Sequence, residues 1–193
     1  NRLATLQVVE YFRAFLVGRV GWSRMRSLLI ISGAFGLFRR SSVEAVGGWW
    51  TGTVGEDMEL VVRIHRYFQE RGERYRVLFV PDPVCWTEVP GTFRALSSQR
   101  RRWQRGLAEA LWRHRQVAFR PRYGRLGMIA TPYFIIFEMV GPVLTVLSYA
   151  LLPLAFVFGL VSTAFMVAFF VVALLVGQLL SIAALALEEF SFR

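Results

Sequence analysis

The sequence predicts an α/β domain, incomplete as it stands, followed by α-helical membrane segments. Three observations carry that expectation. Up to about Arg125 the 193-residue chain mixes charged and apolar residues as a globular domain does, and beyond it charge nearly vanishes. Strand-like and helix-like patterns alternate through the first part, which argues for an α/β layer arrangement, although too few strands are present to close a sheet. From Met128 to Leu187 only Glu138 is charged, and a bilayer-crossing helix needs about 20 apolar residues. The apolar share of 55% and the mean hydropathy of +0.44 are too high for an ordinary soluble domain.

The elements follow in order. Residues 2–27 form a partly helical lead-in, with Leu6, Val9, Phe12 and Leu16 at helical spacing. Leu28–Phe38 is apolar and broken by Ser32, Gly33 and Gly36, which suits a buried strand closely approached at its glycines. Val43–Trp50 reads as a short helix stopped by Gly47 and Gly48. A clearer helix spans Glu56–Arg71: acids open it, Gly72 closes it, and Leu60, Val61, Ile64 and Phe68 share one face. Tyr75–Val80 is a second strand and Val84–Thr87 a further extended piece, separated by the turn Pro81-Asp82-Pro83. A long basic helix covers about Thr92–Arg115. Residues 1–125 thus form one unit and 126–193 a membrane region. The latter holds two transmembrane helices, about 133–160 and 163–187, joined at Gly159–Ser162, with Pro132, Pro142 and Pro153 as possible kinks in the first.

All 23 basic residues are arginine, giving a net charge of +10. Ten of them lie between Arg94 and Arg125, relieved only by Glu109. Arginine beside a membrane segment serves two ends: it holds the cytoplasmic side through the positive-inside bias, or it binds phosphate. Both rank above a nucleic-acid partner, because the membrane-proximal position already accounts for the charge. By this bias the domain lies on the cytoplasmic side of an inner membrane crossed twice, and Glu188–Arg193 return to that side. Cys85 is the single cysteine, so no intrachain disulfide or cysteine metal cluster forms, and it is expected to be a small buried hydrophobe. His65 and His114 lack ligand spacing and are expected at the surface or at caps. The chain begins at Asn1 rather than Met, and is expected to be the later part of a longer polypeptide.

Two constellations could carry chemistry. Gln99, Arg102 and Trp103 stand at i, i+3 and i+4, so one helical stripe presents an amide, a guanidinium and an indole. A sugar-nucleotide site uses such groups: the guanidinium forks onto diphosphate, the amide bonds hydroxyls or phosphate, and the indole stacks on a pyranose. An amphipathic interfacial helix with its Trp at headgroup depth uses them too, and from composition alone that use carries more weight. Gly55-Glu56-Asp57 is the second constellation. A carboxylate at a helix start can act as a general base, provided that desolvation or a neighbour such as Glu56 opposes the helix dipole. Acids there are more commonly caps. Glu138 in an apolar helix should face protein or a polar channel, or else lie at interfacial depth.

Gly55-Glu56-Asp57, then Thr87-Glu88-Val89-Pro90, then Gln99-Arg100-Arg101-Arg102-Trp103 ahead of paired membrane helices resemble the processive family 2 glycosyltransferases. These include cellulose, hyaluronan and poly-N-acetylglucosamine synthases. The run Ile31–Arg40, ISGAFGLFRR, also looks like the glycine-containing segment before their acid. The resemblance implies an incomplete GT-A type glycosyltransferase domain that takes a nucleotide sugar, usually a UDP sugar, with Mg2+ or Mn2+. It implies that Asp57 activates the acceptor hydroxyl, that Gln99 and Arg102 hold the diphosphate, and that Trp103 stacks on the terminal acceptor sugar. Gly33 and Glu56 would line the substrate site, and the helices would help form a polymer channel. The metal-binding Asp-x-Asp of the family is absent, since the aspartates are Asp57 and Asp82. Metal ligands and uridine site are therefore expected on a missing N-terminal half or another subunit, with the fragment alone inactive. Gly55 stands where the family usually has Thr. A non-processive lipid-linked sugar transferase and a non-catalytic basic membrane subunit are the alternatives.

Overall fold

The computed structural model describes residues 1–82 and 85–191, the side chains of 15–17 and 187–191 excepted. Pro83, Val84, Phe192 and Arg193, which figured in the expected turn, extended piece and returning tail, lie outside the described residues.

The lead-in is one helical run: α1 (Arg2–Phe12), a π-helical stretch Arg13–Arg19, then α2 (Val20–Arg24). Asn1 caps it by accepting from the Leu3 N–H at 3.0 Å. The run is tied to the loop before the basic helix, where Asn1 Nδ2 donates to the Gly91 carbonyl and Gln7 Nε2 to the Pro90 carbonyl. The short helix α3 is Arg40–Ala45, ending earlier than expected because Gly47 and Gly48 both take left-handed φ, 85° and 77°. Next, α4 is Glu56–Arg71, and Gly72 closes it with φ 67° while the Glu73 N–H reaches the Phe68 carbonyl at 3.0 Å. The basic helix α5 is Phe93–Arg113, capped by Thr92.

The expected strands Leu28–Phe38 and Tyr75–Val80 are non-helical, yet among the described residues no backbone ladder pairs them. Tyr75, Val77 and Phe79 are half-buried while Arg76, Leu78 and Val80 are exposed, the period-two pattern of an edge with one covered face. A strand exists only through its neighbour's hydrogen bonds, and here the segments lean on α4 side chains instead.

His65 provides that attachment. Its Nε2 donates to the Leu28 carbonyl at 2.8 Å and its Nδ1 accepts from the Tyr75 hydroxyl at 2.7 Å. The carbonyl partner fixes the tautomer, since a carbonyl only accepts. His65 and His114, expected at the surface or at caps, are both buried, at 1% and 2% exposure, and His114 does stand at a cap, the C-terminal one of α5. Each has polar partners that offset desolvation. For His114 the partner is Glu59 Oε1 at 3.1 Å from Nε2. Glu59 is itself fully buried and also receives Arg63 Nη2 at 2.8 Å. Burial acts to raise the Glu59 pKa, but the hydrogen bond from His114 and the charge of Arg63 hold it below the usual value.

Burial pushes His65 down from 6.5 to about 4, against a smaller opposing pull from the Leu28 carbonyl. Between those values the unfolded chain binds the proton more readily, so stability falls as pH drops from 6.5 toward 4. The gap is worth about 3 kcal/mol. Thermal melting in detergent should show that loss in the wild type, and His65→Gln should flatten the pH dependence over this window.

The core joins Leu29, Met58 and Val62 to Leu107, Ala110 and Leu111 of α5, and to Val117, Tyr123 and Leu126 after that helix. Beyond it the chain is helical from Leu126 to Val157, through α6 (Thr131–Tyr133), a π-helical stretch Phe134–Val140 and α7 (Gly141–Val157). This begins at Leu126 rather than Tyr133, and Pro132, Pro142 and Pro153 are all accommodated within it. The last helix, α8, is Thr163–Ser191 after a turn in which Gly159 has φ 70°. The apolar runs Leu126–Val157 and Thr163–Ala186 are long enough to cross a bilayer, and none of their most apolar windows is covered by protein. They are consistent with a membrane location. The chief neighbours of α8 are α1 and the π-helical stretch after it.

Candidate active site

A cleft of about 3150 Å³ runs between α1, the Ser32–Phe38 segment, the start of α4 and one face of α5. All six residues singled out in the sequence line it: Gly33, Glu56, Asp57, Gln99, Arg102 and Trp103. The side that α5 turns to α4 can be read from its own spacing. Gly106 stands at i+7 from Gln99 and continues the stripe of Gln99, Arg102 and Trp103. It packs directly on Gly55, for a Cβ on Gly55 would lie 2.8 Å from the Gly106 Cα. The stripe therefore meets α4 two residues before Asp57.

A tether holds the approach to α4 in place. Thr53 Oγ1 donates to Glu109 Oε2 at 2.7 Å and accepts from the Gly55 N–H at 3.1 Å, while the Val54 N–H also reaches Glu109 Oε2. The Thr53 hydroxyl foremost, then Arg105, lower the Glu109 pKa to about 2. Thr53 thus supplies a hydroxyl near the place where Gly55 lacks one.

Asp57 is half-buried, and its Oδ1 accepts from the Met58 N–H at 2.7 Å. Burial is the largest influence on its pKa and raises it. The Met58 N–H opposes, Glu56 adds to the rise, and the Arg19 guanidinium opposes, leaving the carboxyl above its ordinary value. That direction suits a group which must accept a proton. Gly33 makes room for it, because a Cβ there would sit 3.1 Å from Asp57 Oδ2.

The stripe residues differ in environment. Gln99 Oε1 is buried without a hydrogen-bond partner among the described residues. Arg102 is exposed on the cleft wall. Trp103 is 43% exposed, with the Arg100 guanidinium over its ring at 4.6 Å and Tyr11 at 6.4 Å. Arg100 forks onto both carboxylate oxygens of Glu10 at 2.6 Å, so this arginine locks α1 to α5.

Three features escaped the sequence reading. Arg19, at the end of the π-helical stretch, lines the cleft, and its pKa is lowered to about 10 by burial, with Asp57 and Tyr11 opposing. Tyr11 lines the same wall. The available signal was their helical spacing on the lead-in. Gly106 was also overlooked, although a glycine well inside a helix generally has a packing reason. Cys85 is exposed rather than buried, because residues 85–88 border the cleft.

Among the described residues no group of three His, Cys, Asp or Glu side chains converges that would hold a metal ion by itself.

The sequence comparisons name the family. The family model described as glycosyl transferase family group 2 matches residues 1–180, and the chain belongs to that family. Among its relatives is the poly-beta-1,6-N-acetyl-D-glucosamine synthase of Staphylococcus aureus (strain COL). It is 37% identical over 113 residues, which is 58% of this chain and 26% of the relative. The synthase of the same name from Staphylococcus epidermidis is 34% identical over the same length and shares. The chain thus spans about a quarter of the length of these curated relatives. No solved structure matches it.

Proposed function

We propose that this chain is the acceptor-side part of a membrane-bound, inverting glycosyltransferase that extends a polysaccharide from a nucleotide sugar, taken here as a UDP sugar. The observation that carries the reading is that the Asp57 carboxylate and the Gln99–Arg102–Trp103 stripe border one cleft. The relatives' names make N-acetylglucosamine the first sugar to test.

In this reading the residues divide the work. Arg102 and the N–H groups of the Gln99 amide hold the diphosphate, and Trp103 stacks on the terminal acceptor sugar. Asp57 takes the proton of the acceptor hydroxyl as that oxygen bonds to the anomeric carbon. The bond from that carbon to the diphosphate breaks, and the nucleoside diphosphate leaves with the electron pair. One displacement inverts the anomeric centre. Glu56 and Gly33 line the approach. Mg2+ or Mn2+ would neutralise the leaving diphosphate, with ligands supplied by residues outside this chain. The α/β sheet would likewise be completed elsewhere in the polypeptide, and the relatives' greater length leaves room for that. Residues 1–125 would form the cytoplasmic part and 126–193 the membrane region, with arginines at the inner face.

The test uses the full-length protein in membranes with labelled UDP-N-acetylglucosamine. Long polymer is the expected product. A single sugar on lipid would point to a non-processive transferase, and no transfer from any UDP sugar would overturn the reading.

A further inference from the structure

We propose that Gln104 is a positioning residue for chain extension. Its side-chain amide stands in for the backbone N–H that Pro142 lacks, and so pins the basic helix α5 to the first membrane helix where the cleft reaches it. This rests on the glycosyltransferase reading above and adds what fixes the membrane side of that site.

Helical geometry sets the need. In an α-helix the Glu138 carbonyl would accept from the N–H of residue 142, and proline has none. The chain is π-helical just before that proline, over Phe134–Val140, where backbone bonds run five residues along instead of four. Within a membrane no water compensates a bared carbonyl, so a neighbouring helix has to supply the donor. Gln104 is half-buried on α5 and does so. Its Nε2 donates to the Glu138 carbonyl and to the Met139 carbonyl, both at 3.1 Å. An amide nitrogen carries two hydrogens, enough for both.

The place of the contact makes it more than a repair. Gln104, Glu138, Pro142 and Val143 all border the cleft, as does Trp103 one residue earlier on α5. The cleft therefore extends from Asp57 to the first membrane helix, and Gln104 sets the spacing between the Trp103 indole and that helix. The hold of α5 on the catalytic groups is secured elsewhere. Gly106 packs on Gly55, and Arg100 forks onto Glu10. Losing the Gln104 amide should thus slacken the grip on a growing chain without displacing Asp57 or Arg102.

The experiment measures product length and initial donor turnover for the full-length protein in membranes, with thermal melting of the same variants in detergent. Gln104→Met keeps the reach of the side chain but has no N–H. It should shorten the product about tenfold and leave the initial rate and the KM for UDP-N-acetylglucosamine unchanged. It should also melt lower, because the Glu138 carbonyl loses its donor. Pro142→Ala returns the missing N–H to the helix itself. Added to Gln104→Met, it should restore the melting temperature while the product stays short, since the tether to α5 is still gone. Wild-type length in Gln104→Met, length that recovers together with stability in the double variant, or an equal fall in initial donor turnover would each overturn the assignment. A wild type that transfers no sugar from any UDP sugar would instead sink the underlying glycosyltransferase reading.

Discussion

Asp57→Asn is expected to lower kcat about a thousandfold or more while leaving the protein folded. The amide keeps the shape of the carboxylate and can still accept from the Met58 N–H, which sits 2.7 Å from Oδ1. What it loses is the ability to take a proton. The effect on stability has the opposite sign from that of most buried substitutions. Burial raises the Asp57 pKa in the folded protein, so ionisation at neutral pH works against folding rather than for it. The asparagine variant should melt no lower than the wild type at pH 7. In the wild type the acid limb of kcat/KM should lie above the ordinary carboxylate range, since the raised group must lose its proton before it can act. Steady-state transfer across pH, with thermal melting of both proteins, checks all three statements. Retained activity in the variant would leave only a basic membrane subunit, for which this carboxylate is a helix cap.

How far the sequence led can be seen from particular residues. Helix α4 was legible because its acids, apolar face and terminal glycine agree, each for its own physical reason. The Gln99–Arg102–Trp103 stripe was legible as a stripe, since helical spacing is a local property. Which way it faced was not, because that depends on Gly106 meeting Gly55, a contact between residues fifty-one apart in sequence. The same limit explains the histidines. Nothing near His65 in sequence announces the Leu28 carbonyl or the Tyr75 hydroxyl that make its burial tolerable. Cys85 erred the other way: an apolar neighbourhood in sequence became an exposed rim in space. The strand pattern of Tyr75–Val80 survives as alternating exposure without a ladder, since periodicity records which side chains are covered and not what pairs with the backbone.

The glycine contact supplies the second large effect. Gly106→Ala adds one methyl group and, by helix propensity alone, should stabilise α5 by about 1 kcal/mol. The new Cβ would lie 2.8 Å from the Gly55 Cα and 2.9 Å from its nitrogen. Both are backbone atoms, so no side chain can swing aside, and α4 and α5 must separate. Glu109 resists that movement, because it holds Thr53 and the Val54 N–H at the same crossing. The strain then falls on the start of α4, where Asp57 sits. A displacement near 1 Å at a catalytic group costs about a hundredfold in rate, and overpacking costs about 1–3 kcal/mol in stability. Transfer activity of Gly106→Ala should therefore fall about a hundredfold, with a lower melting temperature despite the better helix former. Gly72→Ala provides the contrast: its φ of 67° is strained for alanine, but nothing lies within 4 Å of the new Cβ. That variant should lose stability with little change in kcat. If Gly106→Ala turned over normally, the crossing of α4 and α5 would not be what aims the amide, guanidinium and indole at the carboxylate.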